Sequence, residues 1–327
     1  MLDACQKIIK GKPFDSGPND SPLLEDFTKK VTALGKADAA TRDRLVADAI
    51  KALNESVKPA YELLIAFLEE QARRATEDAG VWKFKDGAEF YESALHRTTT
   101  TNMSAKEIHE IGLKGKAFYQ QPAPDGTRPG MFYVNLSNMQ DNPTYELEAL
   151  AHHEGIPGHH MQIAIAQELN GIPKFRKFSH AYTAYTEGWG LYSEQTPKEI
   201  GLYADPYSDF GRLSLELWRA GRLLVDTGIH SKRWTREQAI DYLAKNTPNT
   251  EADCTDSINR YIVMPSQATA YKVGMLKILE LRDKARKSLG DNFDIRQFHE
   301  VLLSNGSVPL DVLEELVDRW IKSKQAG

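Results

Sequence analysis

Asn142-Pro143-Thr144-Tyr145-Glu146-Leu147-Glu148-Ala149-Leu150-Ala151-His152-His153-Glu154-Gly155-Ile156-Pro157-Gly158-His159-His160 is the stretch on which the reading of this chain turns. Asn142 suits a helix N-cap and Pro143 the first turn, where a missing N–H costs nothing. Leu147, Leu150 and Ala151 continue at helical spacing into the histidines, so the cluster is expected on a helix. Four of the nine histidines, His152, His153, His159 and His160, fall in this window. Buried imidazoles need hydrogen-bond partners, so core packing explains such clustering poorly. The bland alternative is a helix with half-exposed, incidental histidines.

The short zinc-helix motif His-Glu-x-x-His sets two imidazoles on one helix face with the glutamate beside them. Here the spacing is longer. On a straight helix His153 and His159 diverge by roughly 120°, while His153 and His160 share a face but stand about 10 Å apart along the axis. Neither pair reaches one zinc ion through ~2.1 Å bonds. Pro157 removes an N–H and clashes with the preceding turn, and Gly158 tolerates unusual dihedrals, which predicts a local bulge in the helix. A bulge that absorbs two residues brings His159 to the second ligand position. His160 remains the runner-up.

A hydrolytic zinc site has three protein ligands and one open position, so a third group is needed. The segment Tyr185-Thr-Glu187-Gly-Trp189-Gly-Leu-Tyr192-Ser-Glu194 offers two carboxylates seven residues apart on one helical face, among apolar neighbours. Glu187 is read as the ligand and Glu194 as the acceptor that orients a ligand histidine. A solvated acidic face is the plain alternative. Glu154, beside the metal without binding it, is placed to act as general base toward water. One zinc ion per chain is expected.

Working outward, the chain has 327 residues, 41% hydrophobic and 27% charged, with a formal charge of -5. It can bury a substantial core, and without a basic cluster it is not read as a nucleic-acid binder. The two cysteines, Cys5 and Cys254, encode neither a disulfide framework nor a thiolate zinc site. No apolar run approaches the ~20 residues of a membrane helix. Met1-Leu2-Asp3-Ala4-Cys5 looks like the end of a lipoprotein signal but lacks the apolar stretch before it. The sequence as it stands is therefore read as cytoplasmic, with export if it is a truncated form. Oligomeric state is not encoded.

The turn-rich residues 11–22 suggest an N-terminal segment and linker over 1–22, followed by one catalytic domain over 23–327. Within it, the active-site helices are expected at about 143–195 and a C-terminal helical part at about 209–323. Amphipathic helices are expected between Leu23 and Gly80 and from Gly87, where Phe90, Tyr91 and Leu95 recur. Ser104–Glu107 and Thr235–Gln238 read as capping boxes, the first opening a helix through Ile108 and Ile111. Further helices are expected at about 180–195, 209–230, 235–245, 251–262, 266–289, 294–303 and 309–323. Met131-Phe-Tyr-Val-Asn-Leu136 is the one strand-like run, so the fold is expected to be mainly α with a small β-sheet.

Taken together, His153-Glu-x-x-Pro-Gly-His159-His160-x-Gln162 and Glu187-Gly-Trp-x-Leu-Tyr-x-Glu194 resemble the hallmarks of the bacterial proteins grouped as domain of unknown function 885. The resemblance extends to Arg219 through His230, Trp234 through Ala239, and Arg260 through Gly274, and covers most of the chain from Ser21. The family is similar to the gluzincin metallopeptidases, some of which also lengthen the His-Glu motif. That similarity implies zincin-like architecture and a peptide substrate. It further implies that the strand Gly130–Leu136 lies along the cleft, with Tyr133, Asn135 and Gln267 as substrate-contact candidates. Tyr271, or else Tyr261, would face the oxyanion, and either could equally be a core tyrosine. Arg219 and Arg222, with Asp226 and His230, would bind a substrate carboxylate or form a buried ion-pair network, the network being preferred. Hydrolysis of a non-peptide amide or ester, or a catalytically silent metal-binding protein, are the competing functions. Family members are usually nearly twice this long, often with an export signal, and commonly carry glycine where Ser266 stands.

Overall fold

The structure is a computed structural model that describes residues 2–34, 38–111, 119–120, 131–132, 143–178 and 182–326. The chain divides into two compact units, Met1–Glu77 and Asp78–Gly327. The boundary expected at 22–23 thus falls inside the first unit. The physical reason is Phe14: instead of bridging as a linker, the turn-rich stretch buries this ring against Leu24 and Leu53, with Ile9, Val46, Ile50 and Val57 around it.

The first unit holds α1 (Leu2–Ile8), α2 (Pro22–Thr32), α3 (Ala39–Ala52) and α4 (Lys58–Arg74). Ser21 caps α2 by accepting from the Leu24 N–H, with Pro22 in the first turn. Asp38 does the same for α3 through the Thr41 N–H.

The second unit begins with α5 (Gly87–Thr99) and α6 (Ala105–Ile111). Ser104 and Glu107 exchange the two hydrogen bonds of the expected capping box. In α5, Tyr91 and Leu95 are buried whereas Phe90 is exposed, so only part of the expected apolar face enters the core. The expected β-sheet amounts, among the described residues, to β1 (Tyr119–Gln120) paired antiparallel with β2 (Met131–Phe132). The rest of the strand Gly130–Leu136, including Tyr133 and Asn135, lies outside the described residues, as does the proposed cap Asn142.

The helices that follow are α7 (Leu147–Glu154), α8 (His159–Glu168), α9 (Lys174–Phe178), α10 (Thr183–Glu199), α11 (Pro206–Ser231), α12 (Arg236–Asn246), α13 (Glu251–Val263), α14 (Ala270–Leu289), α15 (Ile295–Leu303) and α16 (Leu310–Gln325). The protein is mainly helical. Thr235 and Gln238 form the second expected capping box at α12. The largest core joins α5, α10, α14, α15 and α16 through Tyr91, Trp189, Tyr192, Met275, Phe298 and Val317. A second core gathers α11, α12 and α13 around Trp218, Ile229, Leu243 and Ile258. The long α11, capped by Asp205 and opened by Pro206, contributes to both. Among the described residues no helix is long and apolar enough to cross a membrane.

Candidate metal centre

The histidine stretch does not form one bulged helix. α7 ends at Glu154, residues 155–158 turn a corner, and α8 begins at His159. Pro157 cannot donate the bond that would continue α7. At Gly158 a Cβ would stand 1.8 Å from the carbonyl oxygen of His153, so only glycine fits the tight corner. The Trp189 indole N–H of α10 donates to the Pro157 carbonyl at 2.9 Å and anchors the turn. A full helix break, rather than an insertion of two residues, brings the two imidazoles together.

His153 and His159 meet edge to face, with ring centroids 4.7 Å apart and planes at 89°. Glu187, one turn into α10, lies between them: its Oε2 is 3.2 Å from His159 Nε2 and 3.9 Å from His153 Nε2. Ligand atoms of the three residues all fall within 4.8 Å of one another. Tetrahedral bonds of ~2.1 Å would set such atoms about 3.4 Å apart, so the trio fits a zinc-sized ion. Burial alone would raise the Glu187 carboxyl, but contact with both imidazoles outweighs it and holds the group well below the usual carboxylate range. Gly190 forms the wall behind the trio. A Cβ there would lie 2.8 Å from His159 Cε1 and 2.9 Å from His153 Nε2.

The other two histidines turn elsewhere. His152 Nδ1 meets the Ile156 carbonyl at 3.1 Å, and His160 is half-buried outside the cluster.

Around the trio the support is asymmetric. His153 Nδ1 meets Glu194 Oε1 at 2.7 Å, and Arg219 Nη2 pairs with the same oxygen at 3.1 Å, all three residues being essentially inaccessible. This fixes His153 with its proton on Nδ1 and its Nε2 facing Glu187. That Nε2 has no hydrogen-bond partner, and neither carboxylate oxygen of the fully buried Glu154 has one. Burial pushes the Glu154 carboxyl up to about 8. Orphaned buried acceptors are costly, and a cation among them would satisfy them.

Tyr271 stacks on His153 at 6.5 Å between centroids, and its hydroxyl accepts from Gln267 Nε2 at 3.4 Å. Tyr261 is buried with an unpartnered hydroxyl. His230 spends both nitrogens on backbone, accepting from the Val81 N–H at 3.3 Å and donating to the Tyr261 carbonyl at 3.0 Å. Sequence reasoning missed two contributors, Gly190 and the Trp189 indole. The doubled glycines of Glu187-Gly-Trp-Gly were the available signal for the first.

Several known proteins are similar to this chain. A crystal structure of a candidate lipoprotein from Colwellia psychrerythraea superposes with a TM-score of 0.88 at 31% identity, covering 99% of this chain and 69% of that one. A candidate lipoprotein of unknown function from Shewanella oneidensis matches with a TM-score of 0.62 at 20% identity, covering 89% of this chain and 69% of that one. The second likeness bears on the fold alone. No curated protein matches the chain. The family model described as bacterial protein of unknown function (DUF885) matches residues 1–117 and 114–317, and the chain belongs to that family.

Proposed function

We propose that this protein is a zinc-dependent hydrolase that cleaves short peptides, with the metal held by His153, His159 and Glu187. The observation that carries the reading is the convergence of those three ligand atoms beside Glu154, a buried carboxyl without a hydrogen-bond partner. The resemblance to the gluzincin metallopeptidases supports the same chemistry. A closed structural zinc site has four protein ligands and no use for a base; three ligands with a neighbouring glutamate suit hydrolysis.

When bound, zinc supplies Lewis acidity toward a carbonyl oxygen and makes a nearby water more acidic. Glu154 takes the proton of the attacking water and passes it to the leaving amine. Glu194 and Arg219 hold the His153 ring so that Nε2 stays available. The Tyr271 hydroxyl, which accepts from Gln267, keeps its own proton to donate to the developing oxyanion. The relatives designated as candidate lipoproteins favour a setting outside the cytoplasm over the cytoplasmic one expected from the sequence.

The test is metal analysis of wild type, His153→Ala and Glu187→Ala, with a chelator-controlled assay on mixed peptides. One zinc per wild-type chain, absent from both variants, and hydrolysis that falls about 10³-fold in Glu154→Gln with zinc retained, is the expected result. A wild type that takes up no zinc, or a Glu154→Gln variant with undiminished hydrolysis, ends the proposal.

A further inference from the structure

α11 carries two buried arginines three residues apart, and only one of them is neutralised. Arg219 pairs with Glu194 at 3.1 Å. Arg222 is 3% exposed, yet among the described residues it has no ion-pair partner, and its Nε and Nη1 have no hydrogen-bond acceptor. Its guanidinium carbon lies 4.6 Å from the Tyr271 ring centroid and 5.8 Å from that of Tyr261. The aromatic faces, the Glu187 charge and the Tyr271 hydroxyl offset part of the charge, but they leave Nε and Nη1 without an acceptor. The Tyr261 hydroxyl beside it, 1% exposed, is also without a partner.

A buried cation and a buried hydroxyl with donors unused suit an anion. The planar fork of a guanidinium matches a carboxylate in particular. Tyr271 ties this pair to the metal residues, because the ring that faces Arg222 at 4.6 Å stacks on His153 at 6.5 Å. Together the two steps span at most about 11 Å; a guanidinium–carboxylate contact takes up ~4 Å of that, and the remainder corresponds to one or two residues of extended peptide at ~3.5 Å each. We propose that Arg222, assisted by the Tyr261 hydroxyl, binds the free C-terminal carboxylate of the substrate. The protein then acts as a peptidase that removes the last one or two residues of a short peptide. The cleavage part rests on the zinc-hydrolase reading; the carboxylate site does not.

The test compares N-acetyl amino acids with their amides, by calorimetric titration into zinc-free and zinc-loaded wild type, and the corresponding peptide acids with peptide amides as substrates. Charge-assisted hydrogen bonds of this kind favour the acid at least ~10-fold in binding, and ~100-fold in kcat/KM carried mainly by KM. Arg222→Met reduces the preference to less than about twofold, and Arg222→Lys, which keeps the charge if the shorter variant folds poorly, retains part of it. Equal binding of acid and amide by wild type overturns the carboxylate site without any variant. Equal loss of acid and amide cleavage in Arg222→Met also overturns it, because the arginine would then serve the reacting carbonyl. Arg222-dependent acid binding in a protein that cleaves nothing would remove the peptidase reading and leave the carboxylate site standing.

Discussion

Two polar clusters are buried in the second unit, on successive turns of α11, and they differ in completeness. Around Asp226 the account closes: the Tyr91 hydroxyl donates to one carboxylate oxygen and the Ser266 N–H reaches both at 3.1 Å. The Ser266 hydroxyl meets Thr98 Oγ1 at 2.6 Å and the Ala94 carbonyl at 3.0 Å, and His230 bridges two backbone groups. Around His153 it does not close, since His153 Nε2, both oxygens of Glu154, two nitrogens of Arg222 and the Tyr261 hydroxyl lack partners. Burial is equal in the two clusters, so burial does not mark function. A closed network fastens α5 to α11, whereas converging open valences wait for a ligand.

The comparison breaks most visibly at Arg219, whose ion pair with Glu194 reaches the open cluster through His153. Arg219→Met leaves the buried Glu194 with His153 but without its cation and is expected to cost roughly 3–5 kcal/mol in urea unfolding. Through His153 it should also weaken zinc binding about 10–100-fold in a chelator competition. A variant that is destabilised with zinc affinity intact would cut the proposed link between the two kinds of group.

His299 tests a closed contact with α10, the helix that carries Glu187. Its Nε2 meets the Tyr192 hydroxyl at 2.8 Å, and burial with the neighbouring Arg282 charge depresses its pKa from 6.5 to about 4. The folded state therefore favours the neutral ring. Its contribution is complete above the unfolded pKa of 6.5 and is lost as pH falls from there toward 4, by at most about 3 kcal/mol. His299→Gln, which does not titrate, should flatten stability over that window when unfolding is followed from pH 7 to 4. An unchanged acid slope would mean that other groups set it.

Asp226→Asn separates the clusters more gently. It keeps an acceptor but weakens charged hydrogen bonds, at an expected cost of about 2 kcal/mol, while zinc affinity and kcat/KM stay within about twofold of wild type. A fall in zinc affinity like that of Arg219→Met would show that the two clusters act as one.

Legibility followed locality. The helices, the caps at Ser104 and Thr235 and the pair His153 and His159 depend on side chains within a few residues of one another, and the spacing displays them, whereas Glu187 comes from α10 and was marked only by its apolar setting beside Glu194. The corner at 155–158 was foreseen only as a bulge, because Pro157 and Gly158 mark an interruption without saying how far the axis turns. The unit division after Glu77 was not legible, because Phe14 finds its core in Leu24 and Leu53, contacts that composition does not reveal. Arg219 and Arg222 look identical in sequence; only Glu194, brought in from α10, distinguishes them.

Ser266 gives the smallest effect and the finest test of a closed network. Its φ of 76° is in the left-handed region, where glycine is free and other residues pay about 1 kcal/mol or more. Serine at such a position raises the question of how it is tolerated. The two contacts of its hydroxyl supply the answer, each contributing about 1 kcal/mol. Ser266→Gly relieves the backbone but leaves the buried Ala94 carbonyl and Thr98 hydroxyl without this contact, so the expected change in unfolding free energy lies within about 1 kcal/mol of zero. A gain beyond that would mean the hydroxyl bonds contribute little and the backbone strain dominates. A loss beyond it would mean that the network fixes the turn before Gln267 and Tyr271, and that the closed cluster helps to position the open one.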